Sequence, residues 1–386
     1  MDHIKESIAQ VFDEISQGLQ SGSFGKRMRV GLTLDGSEHG PEEMLRGATL
    51  AQAADPSIEV VVIGEKIETN LTLIEAADQR TAHELMDKML LSGELDAAVT
   101  MHYSFPIGVA TIGRVITPAF GRKMFVGSTT GTSDTERTSA MLKNAISAIA
   151  AAKACGNAAP TVGILNIEGA RQLERSLIKL QESGYPINFT QSARADGGVV
   201  MRGNDLLQGV PDIMVMDSLT GNVIMKVTSA FSSGGSYESL GDGYGPGIGD
   251  GYDRIINIIS RASGAPVVAG ALTYAGALAK GGLLGKVTAE FAAAKKAGLG
   301  EILAGLQKAG EKASGSSEEE VKAPPEKVVT EEIPGVEILE LENAVRVLWK
   351  LGIFATSGMG CTGPIILVAP EDKEAAKKAI KEAGYL

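Results

Sequence analysis

Apolar positions along the chain occur in two patterns, short continuous runs and repeats of three and four residues. Together these patterns predict a regular succession of strands and helices. Short apolar runs bounded by polar residues are typical of buried strands, whereas apolar residues three and four apart are typical of helices. The predicted strands cover residues 28–34, 58–63, 96–101, 124–126, 162–167 and 212–216. Predicted helices begin at Pro41 and after Asp217 and cover residues 81–91, 134–153 and 169–183. The alternation predicts an α/β fold of three layers, with a mainly parallel sheet, helices on both faces and ligands beyond the carboxyl ends of the strands.

Three further segments flank this predicted domain, which we place at residues 28–312. Residues 1–27 contain an amphipathic helical pattern at 3–20. Residues 313–335 are rich in Ser, Pro, Glu and Lys, a composition that favours a solvated linker. Residues 336–386 read as helix, strand and helix, a small C-terminal α/β module that needs docking for stability. We expect this module to face the cleft of the main domain.

Composition excludes several classes of protein. The 386 residues are 44% hydrophobic, which supplies ample core, and 36 basic against 47 acidic side chains give a net charge of −11. That charge argues against a primary nucleic-acid or anionic-membrane surface. Cys155 and Cys361 lack the spacing of a zinc site or a disulfide framework, so we expect a cytoplasmic protein with no metal. The uncharged run 262–279 contains Pro266 and favours a buried element over a membrane span.

Four loops that follow predicted strands hold polar groups, at residues 35–39, 100–104, 127–134 and 217–222. In the second loop, His102 is interpreted as a hydrogen-bonded loop histidine or, less simply, as a site residue. The third loop precedes a helix, and its hydroxyls and N–H groups suit either an anion or a plain helix cap. The glycine-rich stretch 232–253 matches neither a dinucleotide nor a Walker motif, so a mobile lid or a partner-docking loop is predicted there.

The segment 356–364 combines glycines with Cys361, and we expect it to form a glycine-rich turn. Glycines allow the backbone to approach a ligand, and N–H donors of such a segment can stabilise an oxyanion. A free thiol has a pKa of roughly 8.5, so Cys361 would be a nucleophile only if donors or cations lowered that value. A small buried thiol is the structural alternative. For Cys155 we predict only a structural role.

The main domain resembles the acyl-ACP:phosphate acyltransferase (PlsX) family of phospholipid synthesis. Residues 33–41 follow its Asp-Ala-Met-Gly-Gly-Asp-His-Ala-Pro pattern and keep the glycine, second acid, histidine and proline. Residues 162–168 and 217–226 match two further patterns of the family in order. The family's Ala-Gly-Asn-Thr-Gly loop is replaced here by residues 102–106. The resemblance implies a phosphate acyltransferase fold, related to isocitrate dehydrogenase, in which phosphate attacks an acyl thioester.

The C-terminal segment Gly-Met-Gly-Cys-Thr-Gly-Pro at 358–364 extends the resemblance beyond the main domain. With this segment included, nearly the whole chain is similar to the alpha subunits of component C of glycine, sarcosine and betaine reductase complexes. This resemblance implies a component C beta subunit and selenoprotein A as partners, and an oligomeric complex. In such complexes selenoprotein A carries a carboxymethyl selenoether and is left oxidised. Component C releases the two-carbon unit as acetyl phosphate, with phosphate as co-substrate and no bound cofactor.

The resemblance also implies a different role for each of the candidate residues. Cys361 would carry the acetyl group as a thioester, and backbone donors at Gly358 and Gly360 would face the oxyanion. Asp217 would orient donors rather than act as a base. Phosphate would be held by a set of neutral donors and one cation: Lys226, Asn222, His39, Ser128 and Thr129.

Two other functions stay open from the residues alone. One is a stand-alone acyl-thioester:phosphate acyltransferase in which Cys361 is incidental. The other is a non-catalytic scaffold subunit whose glycine-rich loop and C-terminal module only bind a partner.

Overall fold

The structure is a computed structural model that describes residues 11–12, 15–16, 18–19, 27–194, 197–314, 321–336, 340–360 and 363–386. Most of the predicted N-terminal helix lies outside these residues. Its described positions are helical, and the apolar side chains of Phe12 and Leu19 are exposed.

Strands form one large sheet and one small sheet. In chain order they are β1 (Met28–Thr33), β2 (Ile58–Gly64), β3 (Thr72–Glu75), β4 (Ala97–Thr100), β5 (Phe105–Pro106), β6 (Val109–Ile116), β7 (Lys123–Thr132), β8 (Thr161–Leu165), β9 (Asn188–Phe189), β10 (Val200–Met201), β11 (Ile213–Val215), β12 (Gly245–Ile248), β13 (Ile256–Ile258), β14 (Glu331–Pro334), β15 (Ala355–Gly360) and β16 (Gly363–Val368). The large sheet has the order β10-β8-β11-β7-β6-β12-β13-β4-β1-β2-β3, with β9 beside β8. Its pairs are parallel except around β6 and β12, where β7–β6, β6–β12 and β12–β13 are antiparallel.

Helices cover both faces of the large sheet, which confirms the predicted three-layer α/β/α class. In chain order the described helices are α1 (Pro41–Ala54), α2 (Gln79–Ser92), α3 (Arg137–Ala154), α4 (Ala170–Glu182), α5 (Gly203–Gln208), α6 (Ser218–Ala230), α7 (Ala265–Lys280), α8 (Leu283–Lys296), α9 (Leu299–Ser314), α10 (Leu341–Lys350) and α11 (Lys373–Glu382). One apolar core joins the sheet to α1, α3, α4, α7, α8 and α9, and a second core on the opposite face includes α2, α5 and α6. Most of the uncharged run 262–279 lies in α7, which is largely buried.

The structure of the glycine-rich stretch 232–253 differs from the mobile lid or docking loop predicted from the sequence. Residues 242–249 are buried, and β12 lies in the middle of the large sheet rather than in a mobile lid. The glycines are needed because neighbours approach closely: a Cβ on Gly245 would lie 1.8 Å from the carbonyl oxygen of Ile112, and one on Gly247 would lie 2.3 Å from the Phe105 ring. Tertiary contacts, not local stiffness, therefore order this segment.

The C-terminal residues form a small module with a core of its own. Strands β14, β16 and β15 pack against α10 and α11, and the main domain adds β5 to the edge of this small sheet. Segment 356–364 was expected to be a turn, but Gly358 and Gly360 lie in β15 and pair with Ile365 and Gly363 of β16. Cys361 and Thr362 lie outside the described residues.

Within the described ranges, no single helix is long and apolar enough to cross a membrane. Helices α7 and α8 pass that test only as a pair, and they are bent by 65° relative to each other.

Candidate active site

A cleft of about 460 Å³ lies at the carboxyl ends of the parallel strands, where the fold class predicts ligands to bind. Its floor comes from the loops after β1, β4 and β13, from the end of β7 and from one face of α6. Its remaining wall comes from the C-terminal module. The lining residues are Gly36, Glu38, Gln79, Met101, His102, Tyr103, Phe105, Thr130, Gly131, Asn222, Lys226, Tyr244, Ile258, Ile259, Ser260, Arg261, Met359 and Gly360.

Two cations face this cleft without a carboxylate partner. In the described part of the chain, no acidic oxygen lies within ion-pair distance of Lys226 or Arg261. Lys226 Nζ lies 5.8 Å from the centre of the Tyr244 ring, and Arg261 Nε donates to the carbonyl of Gly36 at 3.3 Å. Unpaired cations at the mouth of a cleft create a local site for an anion, despite the negative charge of the whole protein. Arg261 was not predicted from the sequence.

Asn222 and Lys226 are one helical turn apart on α6, and both line the cleft. Asn222 Nδ2 donates to the carbonyl of Thr129 at 3.0 Å, which ties α6 to the end of β7. Thr129 itself is buried, and its hydroxyl contacts Thr111 Oγ1 at 2.7 Å and the Tyr244 carbonyl at 2.6 Å. The cleft is therefore lined by the next residues of β7, Thr130 and Gly131, while Thr129 holds the strand in place.

Ser128 and Asp217 also lie behind the cleft wall. Ser128 is fully buried, and its carbonyl lies 1.8 Å from where a Cβ on Gly221 would be, so only glycine lets α6 approach this closely. Asp217 caps α6 by accepting a hydrogen bond from the N–H of Thr220 at 3.0 Å. It also accepts a hydrogen bond from Arg137 Nη2 at 3.0 Å. Burial alone would raise the pKa of Asp217, but the bonds from Thr220 and then Arg137 lower it. An ionised cap suits an orienting role better than that of a base.

His39 lies on an exposed loop beside the cleft and is not among the lining residues. Its Nε2 is 3.3 Å from the carbonyl of Ala262, and its ring meets the edge of Tyr237. The adjacent Glu38 lines the cleft, and its N–H donates to the carbonyl of Arg261 at 2.8 Å. This loop thus positions the segment that carries Arg261.

The C-terminal module reaches the cleft through the end of β15. Met359 pairs with Phe105 and Gly358 with Pro106 in an antiparallel ladder. Met359 and Gly360 line the cleft, and Gly360 directly precedes Cys361 in the chain.

The loop 102–106, which departs from the acyltransferase pattern, is the platform on which the module docks. Ser104 Oγ donates to Glu332 Oε1 at 2.6 Å, and His102 Nε2 lies 3.7 Å from the same oxygen. The contact with His102 lowers the pKa of Glu332, and the hydrogen bond from Ser104 adds to this effect, while burial opposes it. A carboxylate held in this way fixes the module by a charge-assisted hydrogen bond.

The cleft combines charged and polar groups, among them Lys226, Arg261 and Glu38, with apolar side chains. Apolar side chains line it beside the polar groups: Met101, Tyr103, Phe105, Ile258, Ile259 and Met359. This arrangement can hold an anion next to a small acyl group. Among the described residues there is no cluster of three or more His, Cys, Asp or Glu side chains that could hold a metal ion.

Cys155 lies elsewhere, at the carboxyl end of α3 beside the buried Arg114. Burial raises the pKa of its thiol, an effect that Arg114 only partly offsets. A neutral, half-buried thiol is a poor nucleophile.

Comparisons with known proteins place the chain among described families. A family model described as fatty acid synthesis protein matches residues 28–367, which assigns the chain to that class of protein. A phosphate acyltransferase of Geobacillus thermodenitrificans is 25% identical over 241 residues, covering 52% of this chain and 70% of the relative. The branched-chain phosphotransacylase structure from Enterococcus faecalis V583 covers 65% of this chain and 99% of its own, with a TM-score of 0.46 and 12% identity.

A further relative spans the full length. The glycine/sarcosine/betaine reductase complex component C subunit alpha of Peptoclostridium acidaminophilum is 54% identical over 386 residues, which is 100% of both chains. The chain belongs to this family of component C alpha subunits.

Proposed function

We propose that the protein is the acetyl-transferring subunit of a glycine, sarcosine or betaine reductase complex, in which Cys361 carries the acetyl group and phosphate receives it. The observation that supports this most directly is that Gly360, the residue before Cys361, lines the same cleft as Lys226 and Arg261. A thiol and a phosphate site on one cleft are what a thioester-to-phosphate transfer requires.

In this proposal Lys226 and Arg261 bind phosphate, and the N–H groups at the end of β7 supply neutral donors. Asn222 and Asp217 act behind them as positioning residues. A phosphate oxygen attacks the thioester carbonyl, the C–S bond breaks, and the Cys361 sulfur leaves as the thiolate while acetyl phosphate forms. Cations that stabilise phosphate and thiolate charges favour the transfer.

The two-carbon unit would reach Cys361 from the carboxymethyl selenoether of selenoprotein A, in a complex that also contains a beta subunit. In that step the Se–C bond breaks, the methylene carbon gains a proton, a carboxylate oxygen leaves as water when the C–S bond to Cys361 forms, and selenoprotein A supplies the two electrons and is left oxidised. The name of the full-length relative, a subunit alpha of a complex component, supports partner subunits for this chain.

Acetyl loading tests the proposal. The purified protein is incubated with acetyl phosphate, so that the reverse transfer loads the thiol, and its intact mass is measured beside Cys361→Ser and Cys155→Ser variants. We expect one acetyl adduct that disappears with added thiol, is absent from Cys361→Ser and survives in Cys155→Ser.

An adduct that persists in Cys361→Ser would refute the carrier assignment. If no adduct forms with or without the beta subunit, yet phosphate-dependent acyl transfer from a thioester continues in Cys361→Ser, the protein is a phosphate acyltransferase without a covalent cysteine intermediate.

A further inference from the structure

A second cavity, of about 280 Å³, lies between α3, α8 and the amino end of α9, away from the cleft described above. It shares no lining residue with that cleft. Its walls are Gly108, Ser133, Lys143, Ser147, Asp250, Phe291, Lys295, Leu299, Gly300 and Leu303. The volume exceeds what a single water occupies and approaches that of small-molecule sites.

One side chain in this cavity lacks a partner. Ser147 is only 1% exposed, and its Oγ is a buried atom with no hydrogen-bond partner among the described residues. Buried hydroxyls in folded proteins are nearly always hydrogen-bonded, since an unmade bond destabilises the native state. The hydroxyl of Ser147 is therefore available to hydrogen-bond a polar group in the cavity.

The remaining charged groups that line the cavity are two lysines, Lys143 and Lys295, and one carboxylate, that of Asp250. Lys143 Nζ contacts Asp134 Oδ2 at 2.5 Å and the Ser133 carbonyl at 3.3 Å, and Lys295 pairs with Asp250. An ammonium group has three N–H donors, so both lysines retain donors beyond these contacts. Leu299 and Gly300 begin α9, where the first N–H groups have no partner within the helix and the dipole favours a negative charge.

The charge and shape of the cavity restrict the ligand. Because each lysine is already paired with an aspartate, the cavity offers many donors but little net positive charge, which suits a singly charged group better than a phosphate dianion. Phe291, Leu299 and Leu303 supply apolar surface to the same cavity. A Cβ on Gly300 would meet nothing within 4 Å, so the cavity is open at the helix start.

We propose that this cavity is a second ligand site, which binds a short-chain aliphatic carboxylate. Its carboxylate accepts hydrogen bonds from Ser147, the lysines and the start of α9, and its alkyl part contacts the apolar surface. The site is separate from acyl transfer and does not depend on the role of Cys361.

Calorimetric titration tests this proposal with isobutyrate as the probe, isobutyramide as its neutral isostere and inorganic phosphate as a second anion. The matched variants are Ser147→Ala and Ser139→Ala, because Ser139 is an equally buried serine of α3 whose hydroxyl also lacks a partner but does not line the cavity. A second pair is Lys295→Met, inside the cavity, and the neighbouring exposed Lys296→Met, outside it.

We expect isobutyrate to bind and isobutyramide not to bind. Because a hydrogen bond to a charged group is lost, Ser147→Ala and Lys295→Met should each weaken isobutyrate binding by about 10- to 100-fold, while both control variants bind like the parent. The proposal is overturned if isobutyrate does not bind, if isobutyramide binds equally well, or if Ser147→Ala and Lys295→Met leave the affinity unchanged.

Discussion

Replacing Glu332 with glutamine should loosen the C-terminal module from the main domain without unfolding either part. Glu332 lies on β14 of the module, and its carboxylate accepts from Ser104 of the main domain at 2.6 Å with its side chain about a third exposed. Glutamine keeps the size and one acceptor but loses the charge. A hydrogen bond to a charged group contributes about 1.5–3 kcal/mol and a neutral one about 0.5–1.5 kcal/mol, so after allowing for exposure we expect a loss of about 1 kcal/mol.

Hydrogen exchange of the β5–β15 amides measures this loss, because those strands pair across the interface. A loss of about 1 kcal/mol should raise their opening equilibrium, and thus their exchange rate, about fivefold. The control is Glu331→Gln, since Glu331 pairs at 2.7 Å with Lys373 inside the module. The single tryptophan, Trp349, donates to Ala355 within the module and reports whether the module itself stays folded.

The docking of the C-terminal module should depend on pH because of the Glu332 carboxylate. The contact with His102, and then the hydrogen bond from Ser104, lower the pKa of Glu332 from its ordinary value of 4.5 when the module is docked. The stabilisation is therefore fully present above pH 4.5 and is lost as the pH falls through the lower, docked value. Relative to the intrinsic exchange rate at each pH, exchange at β5–β15 should accelerate over that range in the parent protein but not in Glu332→Gln. Equal exchange in the parent and Glu332→Gln, or an equal effect of Glu331→Gln, would refute the assignment of Glu332 as the docking contact.

Two other predictions concern the cleft and the sheet. Lys226→Met should raise the KM for phosphate about 10- to 100-fold with a smaller effect on kcat, because a charged contact to the anion is lost, whereas the exposed Lys280→Met should not change it. Steady-state kinetics of acyl transfer decide this, and an unchanged KM would remove Lys226 from the phosphate site. Gly245→Ala should lower the free energy of unfolding in urea by about 3 kcal/mol or more, since it combines a φ of 86° with a Cβ placed 1.8 Å from the Ile112 carbonyl oxygen. Gly282→Ala isolates the effect of conformation, because Gly282 has a φ of 66° but open space around its Cβ; equal losses in both variants would contradict the steric argument.

Much of the fold could be predicted from the sequence because parallel strands buried on both faces are continuous apolar runs. The runs that became β1, β2 and β8 were predicted within a few residues of their observed ends. Asn222 and Lys226 could be placed on one helix face from their spacing alone, and both line the cleft.

The rest depends on contacts between distant segments. The backbone of β12 is ordered by Ile112 and Phe105, more than a hundred residues away, so its glycines look like a flexible loop in isolation. The docking contact joins Ser104 to Glu332 across 228 positions. Arg261 belongs to no local pattern that distinguishes a ligand-binding arginine from an exposed one, and only the tertiary arrangement shows that it lines the same cleft as Lys226.

Because β12 and β13 lie at the centre of the large sheet, the sheet can close only after both strands have been synthesised. Among the described strands, these two join one half of the large sheet, from β10 to β6, to the other half, from β4 to β3. During synthesis the halves can each assemble early, but β6 and β4 then present unpaired edges until residues 245–258 leave the ribosome. Exposed strand edges invite pairing with other chains, so the nascent protein passes through an interval of high aggregation risk that ends when this late segment closes the sheet.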